Sequence, residues 1–139
     1  MTIYNAAKTG NSEAVRQLIQ SGVNIDDRDN ESNKTPLMVA SENGHAEIVR
    51  ILLENKANIE AQSKTGKNAL MHATVNGHAE IVQILLEAGA NSLYKKHKDG
   101  EHVSLLNYTK NTVIQKLIIY YGYENRRQFQ VAKTSGPTE

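Results

Sequence analysis

Cysteine is absent from the sequence. The chain can therefore form no disulfide framework, thiolate nucleophile or cysteine-based zinc site, and such a composition fits a reducing compartment. Its apolar stretches are too short to span a bilayer, and residues 1–5 lack the basic and apolar regions of a secretory signal. We therefore expect a cytoplasmic protein without membrane insertion.

Catalytic motifs and a strong charge of one sign are also missing. The sequence has no Gly-rich phosphate loop, Gly-x-Ser-x-Gly elbow or His-Glu-x-x-His site. Its formal net charge of +1 gives no general attraction to nucleic acid or membrane. Glu13, Glu47 and Glu80 recur in the first turn of a predicted helix, where negative charge favours the helix dipole. We expect no enzymatic activity, no cofactor and no small-molecule substrate.

The five histidines do not predict a metal site. His45 and His78 lie at equivalent places in two similar segments, where we expect hydrogen bonding at a helix start. His97 and His102 flank a predicted loop, and no helix there fixes the spacing that a pair of ligands requires. We expect His72 to be a surface residue.

What the sequence does contain is an internal repeat of 33 residues. The run from Asn43 to Glu54 returns from Asn76 to Glu87, and the two copies differ only in Arg50 and Gln83. A fixed period of this length is the signature of a stacked array of repeats. Such arrays commonly present binding surfaces.

Within each copy, the matched positions follow the order of a known repeat. In the first copy the opening is Thr35-Pro36-Leu37-Met38, the helix junction is Gly44-His45 and the second helix contains Leu52-Leu53. In the second copy the same places hold Asn68-Ala69-Leu70-Met71, Gly77-His78 and Leu85-Leu86. Gly89-Ala90-Asn91 is a closing turn. Over about residues 2–122 the chain resembles the ankyrin-repeat family. The resemblance implies an all-α solenoid of about four helix–turn–helix units with β-hairpin-like finger loops. It also implies a non-catalytic module that binds another protein.

Weaker copies at both ends complete the array, as expected for terminal repeats that meet water on one face. We predict units at residues 1–28, 29–62, 63–95 and 96–122, with one extra residue near Asp29–Asn33 and a shortened first helix in the last unit. Residues 123–139 form a C-terminal extension, predicted as a short helix over the last unit and then a disordered tail. Alternatively, this tail is a targeting signal or partner motif.

Local signals define the central units. Thr35 is a predicted N-cap followed by Pro36 at the first helical position, and Asn68 repeats the cap. The first helices should then end near Glu42 and Val75. Gly44 and Gly77 should supply the positive φ that terminates them.

The resemblance implies that a partner contacts the finger tips and the exposed side of the first helices. Several of these positions also differ between units that are otherwise nearly identical. In the first finger (residues 26–34) they are Arg28, Asp29, Asn30, Glu31 and Lys34; in the second finger (residues 62–67), Gln62, Lys64, Thr65 and Lys67; in the third finger (residues 94–98), Tyr94, Lys95, Lys96, His97 and Lys98. The first helices add Val39, Glu42, Asn43, His72, Val75 and Asn76. We expect all of them to lie on one exposed surface.

The predicted fingers differ in charge. The first finger is net acidic and the third is net basic, which predicts a protein partner of the opposite polarity. The preferred function is a monomeric protein–protein interaction module. One alternative is a secreted effector of an intracellular bacterium that binds a host protein. Another is a nucleic-acid binder that uses the third finger, although three lysines beside an acidic finger are a weak signature for it.

Overall fold

The computed structural model describes residues 1–91, 93–95 and 102–133, and for 93–95, 102–104 and 123–133 it describes the backbone only. Over these residues it contains seven α-helices, two short strands and one 3-10 helix. The helices are α1 (Ile3–Thr9), α2 (Ser12–Gln20), α3 (Pro36–Glu42), α4 (Ala46–Glu54), α5 (Ala69–Val75), α6 (Ala79–Glu87) and α7 (Thr112–Lys133). The strands are β1 (Leu93–Lys95) and β2 (His102–Ser104), and the 3-10 helix is Leu105–Tyr108.

The helices form two layers of stacked units. We number the units 1 to 4: α1 with α2, α3 with α4, α5 with α6, and the 3-10 helix with α7. The first helices α1, α3 and α5 pack side by side, and the second helices α2, α4, α6 and α7 form the other layer. Among units 1 to 3, the first helices of neighbouring units contact each other more extensively than the second helices do, so the first-helix side of these units is concave. The all-α solenoid implied by the sequence is confirmed.

The helix ends follow the local signals in the sequence. The Thr35 hydroxyl accepts a hydrogen bond from the Met38 amide at 3.3 Å, and the Asn68 side chain accepts from the Met71 amide at 2.9 Å. The first helices end at Glu42 and Val75, as predicted. Gly44 and Gly77 follow with φ of +81° and +76°, a left-handed conformation that side chains disfavour.

The core lies between the layers and between neighbouring units. Its most deeply buried large residues come from equivalent positions of successive units: Leu37, Met38, Ile48, Leu52, Leu70, Met71, Ile81 and Leu85. Leu86 is 2% exposed, whereas Ile119, its equivalent in unit 4, is 57% exposed. The difference arises because unit 3 has a neighbour on both sides and unit 4 has one. Burial in this fold is therefore a property of the stack.

Two histidines join neighbouring units by hydrogen bonds to the backbone. Nε2–H of His45 donates to the Lys8 carbonyl at 3.1 Å, and Nε2–H of His78 donates to the Glu42 carbonyl at 2.9 Å. The predicted hydrogen bonding is therefore present, but each ring reaches the preceding unit, and neither side chain caps its own helix. Each ring also lies where a Cβ on the glycine of the preceding unit, Gly10 or Gly44, would come within 2.8 or 2.9 Å of it.

A second set of contacts joins the second helices. Arg16 and Glu47 lie 2.8 Å apart, as do Arg50 and Glu80. The pairs are exposed and so contribute little to stability. They nevertheless account for the one difference between the long matching runs: the position that would face Gln83 is Val113 instead of a glutamate, so arginine there would have no acid to meet.

The C-terminal unit departs from the prediction in one respect. Its first helix is shortened, as expected, to the 3-10 helix. However, α7 runs from Thr112 to Lys133 without a break, so the boundary predicted at residue 122 falls inside a helix. Gly122, which the repeat pattern placed at the end of the unit, is buried inside α7 and does not terminate it. The tail predicted to be disordered, residues 134–139, lies outside the described residues.

The glycine contact predicts unequal effects of two matched substitutions. Gly44→Ala and Gly77→Ala should both cost about 1–2 kcal/mol of backbone strain, because both residues have positive φ. Only Gly44→Ala also pushes against a ring, that of His78, which should cost about 1–3 kcal/mol more. Urea unfolding of the two variants measures the difference. Equal losses would contradict a structural role for the ring.

The last unit should also open before the central ones. The position equivalent to His78 in this unit is Asn111, so the histidine link seen between the earlier units is not available at that position. One-dimensional arrays can fray from an end. Native-state hydrogen exchange should therefore be faster over residues 105–121 than over residues 48–53. Uniform protection across the two segments would count against this order.

Candidate protein-interaction surface

The first finger is held in shape by two of its predicted contact residues. Nη1 of Arg28 donates to the carbonyls of Asn33 and Gln62, both at 2.7 Å. The Asp29 carboxylate accepts from the Ser32 amide at 2.9 Å and from its hydroxyl at 2.7 Å. These Ser32 hydrogen bonds lower the pKa of Asp29. Arg28 and Asp29 thus organise the finger, while Asn30 and Glu31 remain exposed at its tip.

The second finger is tied to the first. The Lys64 amide donates to the Ser32 carbonyl at 3.2 Å, beside the contact from Arg28 to Gln62. Gln62, Lys64 and Thr65 are exposed, and Lys67 is half-buried. Asn33 and Gly66 occupy equivalent left-handed positions, with φ of +57° and +80°. The extra residue of the first finger widens its turn, since the Asn33 amide donates to the Asp29 carbonyl whereas the Gly66 amide donates to the Ser63 carbonyl. Two neighbouring fingers therefore present their tips at a fixed separation.

Carboxylates at the finger bases repeat the connection from unit to unit. Asp26 accepts a hydrogen bond from the Asn58 amide at 3.0 Å. Glu60 accepts from the Asn91 amide at 2.8 Å. In both cases the acid lies one unit before the amide, so successive finger bases are linked in the same direction.

The ends of the first helices supply the polar part of the concave face. Asn43 and Asn76 are exposed, and their side-chain amides donate to the Val39 and His72 carbonyls at 2.9 and 2.8 Å. Glu42 is ion-paired with Lys34 at 2.8 Å. Val75 is an apolar residue at the same edge and is 48% exposed.

Two predicted surface residues are buried instead. Val39 is 2% exposed and His72 is 6% exposed, so the expectation that they lie at the surface is wrong. They occupy equivalent positions in α3 and α5, on the side where neighbouring first helices pack against each other. Nε2 of His72 has no hydrogen-bond partner within the described part of the chain. Burial lowers the pKa of His72 to about 4.

The third finger is described only in part. Tyr94 and Lys95 lie on β1, which pairs antiparallel with β2 and places Tyr94 opposite Val103. This pairing is the hairpin that the sequence predicted for a finger. Lys96, His97 and Lys98 lie outside the described residues. The basic end of the predicted surface therefore remains a prediction.

The described residues contain neither a candidate metal cluster nor a membrane-spanning helix. No three histidine, aspartate or glutamate side chains in this part of the chain come together as a metal site would require. None of its helices is long and apolar enough to cross a membrane.

The burial of His72 predicts a pH dependence of stability. The unfolded chain takes up a proton near pH 6.5, whereas the folded protein does so only near pH 4. The stability contributed by the neutral ring is therefore complete above pH 6.5 and is lost as the pH falls toward 4, by about 2–3 kcal/mol. His72→Val, which copies Val39, should remove this loss. Urea unfolding at several values between pH 7 and 4 compares the variants, and parallel curves would contradict the assignment.

The comparisons with known proteins agree with this geometry. Residues 3–96 match the family model for ankyrin repeats, in three copies. The chain is 39% identical over 64 residues to the B-cell lymphoma 3 protein homolog of Mus musculus, covering 46% of this chain and 14% of that protein. It is 34% identical over 60 residues to the ankyrin repeat and SAM domain-containing protein 6 of Danio rerio, covering 43% and 8%. It is 40% identical over 57 residues to the ankyrin repeat and KH domain-containing protein mask of Drosophila melanogaster, covering 41% and 1%.

The chain thus spans only a small part of the length of these relatives. What it shares with them is a run of stacked units, and more than half of its residues match the family model. The chain belongs to the ankyrin-repeat family.

Proposed function

We propose that the chain is a non-catalytic module that binds another protein through its finger tips and the concave side of its first helices. The observation that carries this proposal is the pattern of differences between units 2 and 3. Their large buried residues mostly repeat, whereas several residues of the fingers and of the helix ends differ, as Glu42 and Val75 do. Family membership supports it too, because ankyrin repeats are generally protein–protein interaction modules.

The geometry of the fingers favours tight recognition. The Arg28 side chain and the Lys64 amide connect the first two fingers by hydrogen bonds to backbone carbonyls, so little conformational entropy remains to be lost there on binding. A cavity of about 260 Å³ lies where the first finger meets α1, lined by Tyr4, Asn5 and residues 27–30 among others. A partner segment that follows the fingers would find both acidic and basic tips along its path.

The cytoplasmic location and the monomeric state expected from the sequence belong to this proposal. The bacterial-effector and nucleic-acid alternatives receive no support from the described residues or from the relatives. Asp27 and Glu31 are exposed on the first finger, and such carboxylates would repel phosphate groups.

The proposal predicts which surface controls association. Affinity capture identifies a partner, and surface plasmon resonance then measures its on-rate. Reversing Lys95, Lys96 and Lys98 to Glu should slow association by at least tenfold at low salt, since exposed charges steer encounter and are screened beyond about 10 Å at 0.1 M salt. The control reverses Glu13 and Glu54, which are exposed on the second helices, and should change little.

Two results decide between the surfaces. Slower association for the finger variant alone, with an unchanged unfolding midpoint, supports the proposal. An unchanged on-rate for the finger variant, together with lost binding for the second-helix variant, would place the interface on the opposite side.

A further inference from the structure

An ion pair in unit 2 closes the base of the first finger onto its helix. Lys34 lies immediately before the N-cap of α3, and Glu42 is the last residue of that helix. The Lys34 ammonium is 2.8 Å from the Glu42 carboxylate, and the two side chains are only 23% and 31% exposed. The ion-pair partner of Lys34 therefore belongs to the same unit as the lysine.

Unit 3 keeps the lysine and lacks the carboxylate. Lys67 immediately precedes the N-cap of α5, as Lys34 precedes that of α3, and α5 has the same length as α3. The residue equivalent to Glu42 is Val75, which is 48% exposed. Lys67 is half-buried, like Lys34. Within the described part of the chain, no carboxylate forms an ion pair with Lys67.

The surroundings of Lys67 favour an incoming negative charge. His72 lies one turn before Val75 on α5, is buried, and leaves Nε2 without a partner among the described residues. Burial is the main cause of the lowered pKa of His72; the positive charges of Lys34 and Lys67 lower this pKa further, whereas the negative charge of Glu42 raises it. Among the described residues, the charges that act on the His72 ring are therefore two ammonium groups and one carboxylate, and a second carboxylate would balance them.

We propose that Lys67 and Val75 together recognise a partner segment that carries an aspartate or glutamate next to an apolar side chain. The partner's carboxylate takes at Lys67 the place that Glu42 takes at Lys34, and its apolar side chain covers Val75. A charge-assisted hydrogen bond at a half-buried site gives orientation as well as attraction. The inference rests on the proposed function, because it names the partner chemistry for one part of the same concave surface.

A phage-displayed library of random twelve-residue peptides, selected on the full chain, provides the probe. The selected peptides should share an acidic residue beside an apolar one.

Their affinities are then measured by fluorescence anisotropy on three variants. Val75→Glu should weaken binding at least tenfold, because the new carboxylate satisfies Lys67 internally. Val75→Gln introduces a side chain of the same size as glutamate without its charge and should weaken binding much less. Lys67→Met removes only the ammonium and should resemble Val75→Glu.

Unit 2 allows the reverse experiment. Glu42→Val gives Lys34 the surroundings that Lys67 has now. Added to Val75→Glu, it should move the peptide site to unit 2 and restore binding to within a few fold of the wild type. In the wild-type protein, NMR titration should show the pKa of His72 rising when peptide binds, since a carboxylate then lies near Lys67.

The outcomes separate this inference from the proposed function. If the peptides lack an acidic preference, or bind Val75→Glu and Val75→Gln equally, while NMR shifts still map to the fingers, the carboxylate site is wrong and concave binding stands. If the shifts map to α2, α4 and α6 instead, both ideas are overturned. A library that yields no binder to the wild type also counts against the site. Unfolding midpoints confirm that each variant is folded.

Discussion

The second helices carry apolar side chains toward both neighbouring units, and no unit can bury these side chains alone. The contrast between Leu86, 2% exposed, and Ile119, 57% exposed, measures this dependence at equivalent positions. Hydrophobic burial of this kind is nondirectional, so it stacks the units without fixing how far one is rotated against the next. Directional contacts must supply that rotation, and they are the contacts that repeat: a histidine to a carbonyl, an arginine to a glutamate, a finger-base carboxylate to an amide.

These directional contacts also determine the geometry of the proposed binding surface. The His78 hydrogen bond to the Glu42 carbonyl ties the start of one second helix to the end of the preceding first helix. The Asp26 contact with the Asn58 amide does the same for the finger bases. Together they set the spacing of the fingers, which is what a partner would read. Where a contact loses its residue, as Asn111 replaces the histidine in unit 4, the array also loses its regular first helix.

The sequence predicted the helices of the central units closely, because their limits are set by local chemistry. Thr35, Asn68 and the glycines act within one turn of the chain, so their effect can be inferred without knowing the neighbours. His72 and Val39 were misplaced because a seven-residue helix packed between two others has little free surface, and variation between units does not show which side is covered. The roles of Arg28 and Asp29 were missed for a similar reason: Arg28 bonds to a residue of the next finger, and Asp29 to a turn that contains the extra residue.

Because units 2 and 3 are nearly identical, the differences between them can be sorted into two kinds: those that accompany a change at a contacting residue of the array, and those that do not. Arg50 pairs with Glu80, whereas Gln83 has Val113 at the equivalent opposing position, so this difference between units accompanies a difference in the scaffold. The change from Glu42 to Val75 has no such counterpart: the lysine that Glu42 pairs with is retained as Lys67. A substitution that accompanies a change at the contacting residue leaves no charge unpaired in the array. One that leaves a half-buried charge without an ion-pair partner among the described residues, as at Lys67, costs stability unless another group compensates. By this criterion the base of the second finger, rather than the whole variable surface, is where the partner's chemistry is most closely specified.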